Sequence, residues 1–189
     1  MRSRRLAALA ALAVLWSAVA ACTSAPSQEP QLSNLIGVGP LQPPPVRPFA
    51  DLVADDHLPA AVRARIVAID PVRWHDGESI RYPYCLVHLA VDHGWRQPVP
   101  DDLAVRIFGG VEGDRKYVSA IQPDPVTLRP GMELLLFVSP PAQIDPGVTA
   151  ATVEELFFVD GDTLLRFDRT AADVTVTQAV AALNAAETG

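Results

Sequence analysis

The sequence predicts a mainly β protein: a small antiparallel β-barrel with a C-terminal helix, preceded by a signal peptide and a proline-rich tether. Three observations carry this. Beyond Val62, short runs rich in Val, Ile, Leu and Tyr are punctuated by Gly, Pro and Asp, the pattern of strands and turns. Val176, Val180 and Leu183 then fall on one stripe at helical spacing. Upstream, eighteen prolines in 189 residues are unevenly placed, with Pro43-Pro44-Pro45 and Pro48 crowded before the first helix-like segment. The chain divides into a leader over 1–21, a tether over 22–48 and a folded domain over 49–189.

Met1 to Arg5 is a basic start, and Leu6 to Ala20 is an apolar run. A permanent membrane helix needs about 20 apolar residues, so this run has the length of a signal-peptide core instead. Small residues lead from it to a cysteine, Val19-Ala20-Ala21-Cys22. Thr23 to Pro48 is rich in Pro, Ser, Gln and Gly, which form neither helix nor ladder and bury little surface. A disordered or partly polyproline II tether is expected. Leu32, Leu35, Ile36 and Val38 interrupt it; docking on the domain, or no role, is favoured over a short binding segment.

Phe49, Leu52 and Val53 have helical spacing, so a short lead-in helix is expected to end at Asp55. Val62 to Ile69 reads as a strand stopped by Asp70-Pro71, and Trp74 to Glu78 as a loop. Arg81 to Val91 is the next strand. Cys85, Val87, Leu89 and Val91 lie on one face, and Tyr82, Tyr84, Leu86 and His88 on the other. His93-Gly94-Trp95 reads as a turn, and Leu103 to Phe108 as a strand closed by Gly109-Gly110, which would bend the sheet. Val111 to Gly131 is loop-like, with a short strand over Lys116 to Ile121. Leu134 to Val138 is apolar throughout and belongs at the centre of a sheet. Asp160-Gly161-Asp162 joins two apolar runs as a hairpin. Thr175 and Gln178 have capping-box spacing at the start of the final helix. A closed barrel would cover the edges that so many short strands expose.

The net charge is -7, and without Arg2, Arg4 and Arg5 of the leader 12 basic residues face 22 acidic ones. So acidic a surface disfavours phosphate backbones and anionic lipid, and no nucleic-acid partner is expected. No cofactor motif is present. Cys85, with no second cysteine in the domain, reads as a small buried hydrophobe. Of the four histidines, no pair has helical metal-ligand spacing, although His88, Asp92 and His93 cluster at a strand end. Asp160 and Asp162 match only the opening of a calcium loop. Adjacent Glu154 and Glu155 are expected on opposite strand faces. Trp74, Trp95, Tyr82 and Tyr84 are mostly core candidates, but if a groove exists on the barrel face they are its first candidates.

Val19-Ala20-Ala21-Cys22 after a basic start and an apolar run resembles the lipobox of bacterial lipoproteins. That resemblance implies a diacylglyceryl thioether, with fatty-acyl chains such as palmitate, at Cys22. Cleavage just before it leaves the domain anchored outside a cell membrane. Thr23, not aspartate, follows the cysteine, which in a two-membrane cell implies the outer membrane. Separately, five segments resemble uncharacterised bacterial exported proteins with OB-like, distantly netrin- or metalloproteinase-inhibitor-like barrels. These are Asp51-Leu52-Val53, Val62 to Val67, Tyr84 to Val91, Val105 to Gly110 and Pro130 to Phe137. The resemblance implies an OB-like barrel. It implies no zinc-directed inhibition, because Cys22 would be acylated and the disulfide cysteines of those inhibitors are absent.

A non-enzymatic, lipid-anchored module binding an envelope protein or glycan is the favoured expectation. The alternatives are an envelope enzyme with a metal site near His88 and His93, or an inhibitor of a secreted protease. Convergence of three or more ionisable side chains in one pocket would favour the enzyme.

Overall fold

The computed structural model describes residues 35–38, 45–76 and 81–188. The leader, Cys22 and residues 77–80 lie outside them. Among the described residues, twelve strands and two helices follow in order. They are β1 (Leu35–Val38), α1 (Phe49–Ala54), β2 (Ala60–Ile69), β3 (Arg73–Asp76), β4 (Arg81–Trp95), β5 (Asp102–Phe108), β6 (Gly110–Glu112) and β7 (Arg115–Ser119). After a 3-10 turn at Pro125–Thr127 come β8 (Glu133–Val138), β9 (Ala142–Asp145), β10 (Val148–Asp160), β11 (Thr163–Arg166), β12 (Ala171–Thr175) and α2 (Val176–Thr188).

Five strands close on themselves in the order β2-β4-β5-β10-β8, with β8 returning to β2. Only β5–β10 is parallel; the other four pairings are antiparallel. The result is an OB-like barrel with a C-terminal helix, as expected. Closure removes the edges that an open sheet would expose. The interior is filled by alternate residues along all five strands, among them Val62, Ile66, Val87, Leu89, Val105, Leu136 and Phe158. β8 is buried from Leu134 to Val138 because the barrel lies on one of its faces and helices on the other.

A second apolar layer forms outside the barrel. Phe49 and Leu52 of α1 and Ala179 and Leu183 of α2 pack on Leu135, Phe137, Phe157 and Trp95. Phe49 meets Phe137 and Phe157 edge-on, with ring centroids 5.8 and 5.7 Å apart, a geometry that aromatic quadrupoles favour. The Asp173 carboxylate accepts the Phe49 N–H, and the Trp95 indole donates to Asn184 at 2.7 Å. The capping box forms as expected: the Thr175 amide donates to Gln178 Oε1 at 2.9 Å, and the Gln178 amide to Thr175 Oγ1 at 3.3 Å. Asp162 adds to this cap by accepting from Thr177, whose bonds hold its carboxyl below the usual range.

Three sequence readings need correction. Residues Arg73–Asp76 are not loop but β3, because they pair with Arg81–Tyr84 as a hairpin arm. β4 does not turn at His93; it runs to Trp95, paired with Ala61, and absorbs Asp92 as a bulge between the Arg63–His93 and Ala64–Val91 pairs. The chain turns one residue later, at Arg96, whose φ is 72°. The stretch after Gly109 is also more ordered than its prolines suggest, since β6 and β7 form a hairpin within it.

Part of the tether docks. Leu35–Val38 adds to the free edge of β7 as a parallel strand, Leu35 opposite Lys116 and Val38 opposite Ser119. Closer in, Arg47 pairs with Asp55 at 2.7 Å, and its carbonyl accepts from Arg166. No helix among the described residues is long and apolar enough to cross a membrane.

Candidate functional site

Among the described residues, two places on the barrel join chemistry-bearing side chains to a cleft or a rim. The first is the outer face of β4 and β5. Alternation along β4 puts Tyr82, Tyr84 and Leu86 outward, opposite Val87 and Leu89. The β9–β10 arm folds over this face, and Ile144, Val148 and Ala150 cover Tyr84 and Leu86. Tyr84 is only 1% exposed, so much of the expected aromatic groove is packed shut. The four aromatic candidates do not form one surface. Trp95 lies under α2, and Trp74 donates to Glu112 at 3.0 Å and meets Tyr117 edge-on.

What remains at the rim is a network that the sequence did not announce. Asp145 accepts the Tyr84 hydroxyl at 2.5 Å and sits 2.7 Å from His75 Nδ1. The His75 ring stacks on Tyr82 at 4.7 Å. Arg106 donates to the Tyr82 hydroxyl at 2.6 Å and to Thr152 Oγ1 at 3.3 Å, and its guanidinium lies 5.0 Å from the Phe108 ring centroid. Its Nε is buried without a hydrogen-bond partner among the described residues. Burial alone would raise the Asp145 carboxyl, but the bonds from Tyr84 and His75 outweigh it and hold the group below its usual range.

The same contacts push the Tyr84 hydroxyl up to about 12, burial first and the Asp145 carboxylate second. The folded state therefore favours the protonated phenol. That contribution to stability is intact below the free phenol value near 10 and is lost as pH rises from there toward 12. In a spectrophotometric titration of the three tyrosines, Tyr84→Phe should remove the phase of highest pH. The substitution should cost about 1–2 kcal/mol at neutral pH. Loss of a lower-pH phase instead would contradict this assignment.

The second place is a cleft of about 390 Å³ where β10 and β11 diverge from the end of β5. Phe108, Ile121, Phe167, Glu154 and Glu155 are among its walls, and Pro45 and Val46 of the tether close one side. Here a further sequence expectation fails. The pairing of β10 with β8 shifts register between Val153 and Glu155, so strict alternation is broken and both glutamates line the cleft. Gln122 forms the floor: its side-chain oxygen accepts the Phe108 N–H at 2.8 Å, and its amide donates to the Val153 carbonyl at 3.2 Å. Burial raises the Glu155 carboxyl, and the nearby Arg166 and Arg47 charges only partly offset it.

Arg166 and Asp168 also line this cleft, so ionisable groups do converge here. The convergence that would favour an enzyme is therefore present, but not where the histidines suggested it. His88 pairs with Asp70 at 3.1 Å, His93 packs on Trp95 at 4.5 Å, and Asp92 lies 3.9 Å from Arg65. Among the described residues no three His, Cys, Asp or Glu side chains gather as metal ligands. Cys85 is buried, its thiol pushed up to about 11 by burial, with its sulfur 3.6 Å from the Gly109 carbonyl. A thiol so desolvated is a poor nucleophile at neutral pH.

Glu155, Arg106, Asp145 and Gln122 come from separate segments with no spacing to link them, and only the bulge and the hairpin arm bring them into use. Comparison of the chain with family models, curated proteins and solved structures found no match.

Proposed function

We propose that the protein is a lipoprotein of the cell envelope, anchored through Cys22 outside a membrane, whose barrel is a non-enzymatic binding module for another envelope component, protein or glycan. The lipobox-like Val19-Ala20-Ala21-Cys22 supports the anchor. Each buried methylene of an acyl chain contributes about 0.8 kcal/mol, so two or three chains hold a soluble domain firmly. With Leu35–Val38 paired to β7, residues 22–35 span at most about 45 Å, which would keep the barrel near the surface.

The cleft carries the binding half of the proposal. It has the size and apolar lining of a small-ligand site, and two of its four ionisable groups are already engaged. Arg166 is held by the Arg47 carbonyl and Asp173, and Asp168 by the Thr170 amide and hydroxyl. Glu154 and Glu155 remain, two carboxylates with no histidine, cysteine or serine among the cleft's walls, whose Thr152 hydroxyl accepts from Arg106. The second reading, an enzyme using Glu155 as a buried acid with the Glu154 carboxylate beside it, draws on the raised carboxyl there, but no histidine stands among the cleft's walls.

The test is fractionation of cells expressing the full chain or its Cys22→Ser variant. The unaltered protein should follow the membrane fraction, and the variant should lose that association almost completely. A variant that stays with the membrane contradicts the anchor. Crosslinking in intact cells, followed by identification of the linked envelope component, addresses the binding half.

A further inference from the structure

We propose that the cleft beside the β10 bulge binds a small organic ammonium, its cationic nitrogen on the Glu155 carboxylate and its apolar body against Phe108, Ile121 and Phe167. The inference rests on the reading of the barrel as a binding module and adds the chemical class of its ligand.

Four observations carry it. The volume of about 390 Å³ lies within the range of roughly 300–1,000 Å³ seen for small-molecule sites. The walls are mainly apolar, so a ligand gains from burying a hydrocarbon or aromatic body there. Formal charge on the walls comes from Glu154, Glu155 and Asp168 against Arg166, and with Arg47 also near Glu155 the balance still favours a cation. The Arg166 guanidinium is held by the Arg47 carbonyl and Asp173 and lies over the Phe157 ring, so it is not set to receive a ligand carboxylate.

Glu155 supplies the anchoring group. Its carboxylate has no hydrogen-bond partner among the described residues, and burial pushes its protonation upward. A half-buried carboxylate without a hydrogen-bond partner, its burial only partly offset by the Arg166 and Arg47 charges, carries a desolvation cost that an arriving N–H cation offsets further. The bulge at Val153–Glu155 is what places it there, and bulges commonly re-aim side chains beside functional sites. Gln122 fixes the strand ends on either side, so the cleft exists before any ligand arrives.

The experiment is calorimetric titration of the full-length protein in phosphatidylcholine nanodiscs with phenethylamine and with its uncharged counterpart 2-phenylethanol, each corrected for empty nanodiscs. Saturable binding of the amine at one site is expected, with the alcohol at least tenfold weaker. Glu155→Gln should lose at least tenfold in amine affinity and keep its melting temperature, since it removes only a poorly solvated charge. Ile121→Trp, which fills the cleft, should abolish binding while the protein stays folded. Equal binding of amine and alcohol, unchanged amine affinity in Glu155→Gln, or no saturable amine binding would each overturn the proposal. The broader reading fails separately, if crosslinking in intact cells yields no envelope component with the unaltered chain.

Discussion

Gly109→Ala is expected to destabilise the barrel by about 4 kcal/mol, a large share of the roughly 5–15 kcal/mol that holds a domain together. Gly109 has φ 102°, a region that side-chain-bearing residues rarely enter. A Cβ there would lie 2.5 Å from the Tyr117 carbonyl oxygen and 3.2 Å from its carbon. Those are backbone atoms, and they cannot step aside cheaply because Tyr117 is paired with Gly110 in the β6–β7 hairpin. Strain at φ and the clash therefore add. Gly113→Ala is the control: φ is 61° there, but nothing lies within 4 Å of its Cβ, so only the backbone term applies, about 1 kcal/mol. Urea unfolding of both variants separates the two. If Gly109→Ala falls within 1 kcal/mol of Gly113→Ala, the corner is more pliable than this account allows.

Arg96→Gly is expected to cost about 2–4 kcal/mol, although glycine relieves its positive φ. α1 is six residues long, and the last carbonyls of any helix lack partners within it. The Arg96 guanidinium reaches this end, donating to the Val53 carbonyl and to that of Leu52 at 3.4 Å, and just beyond the helix to Asp55 at 2.9 Å and Leu58 at 2.6 Å. A cation at this end also opposes the helix dipole favourably. Without it, part-buried carbonyls lose their donor, and α1, which carries Phe49 and Leu52 into the outer core, loosens. The backbone effect alone predicts a gain in stability for glycine at this position. A neutral or stabilising Arg96→Gly would therefore show that the guanidinium is not what holds α1.

The barrel was legible in the sequence where one face or one run decided the outcome. The alternation of β4, the unbroken apolar run of β8, the Asp160-Gly161 hairpin and the Thr175–Gln178 capping box are local patterns, and each forms where the sequence places it. What failed was set by pairing partners distant in sequence. Nothing in Trp74-His75 announces β3 until the first residues of β4 lie beside it, and Asp92 reads as a strand end until the bulge opposite Arg63 and Ala64 absorbs it. The same holds at the cleft. Alternation assigns Glu154 and Glu155 to opposite faces, and it is wrong because a register shift against β8 lies between Val153 and Glu155. The aromatic candidates fared unevenly because tertiary contact decides their role. The β9–β10 arm buries Tyr84, α2 buries Trp95, and Tyr82 is left at the rim with Arg106 and His75.

The proposed anchor at the first cysteine is the premise that would place the cleft beside a membrane and outside the cytoplasm. Mass spectrometry of the protein purified from its native membrane tests it most directly. The account predicts an N-terminal peptide that begins at Cys22 and carries a thioether-linked diacylglycerol. An intact leader, or a free thiol on that residue, would contradict it.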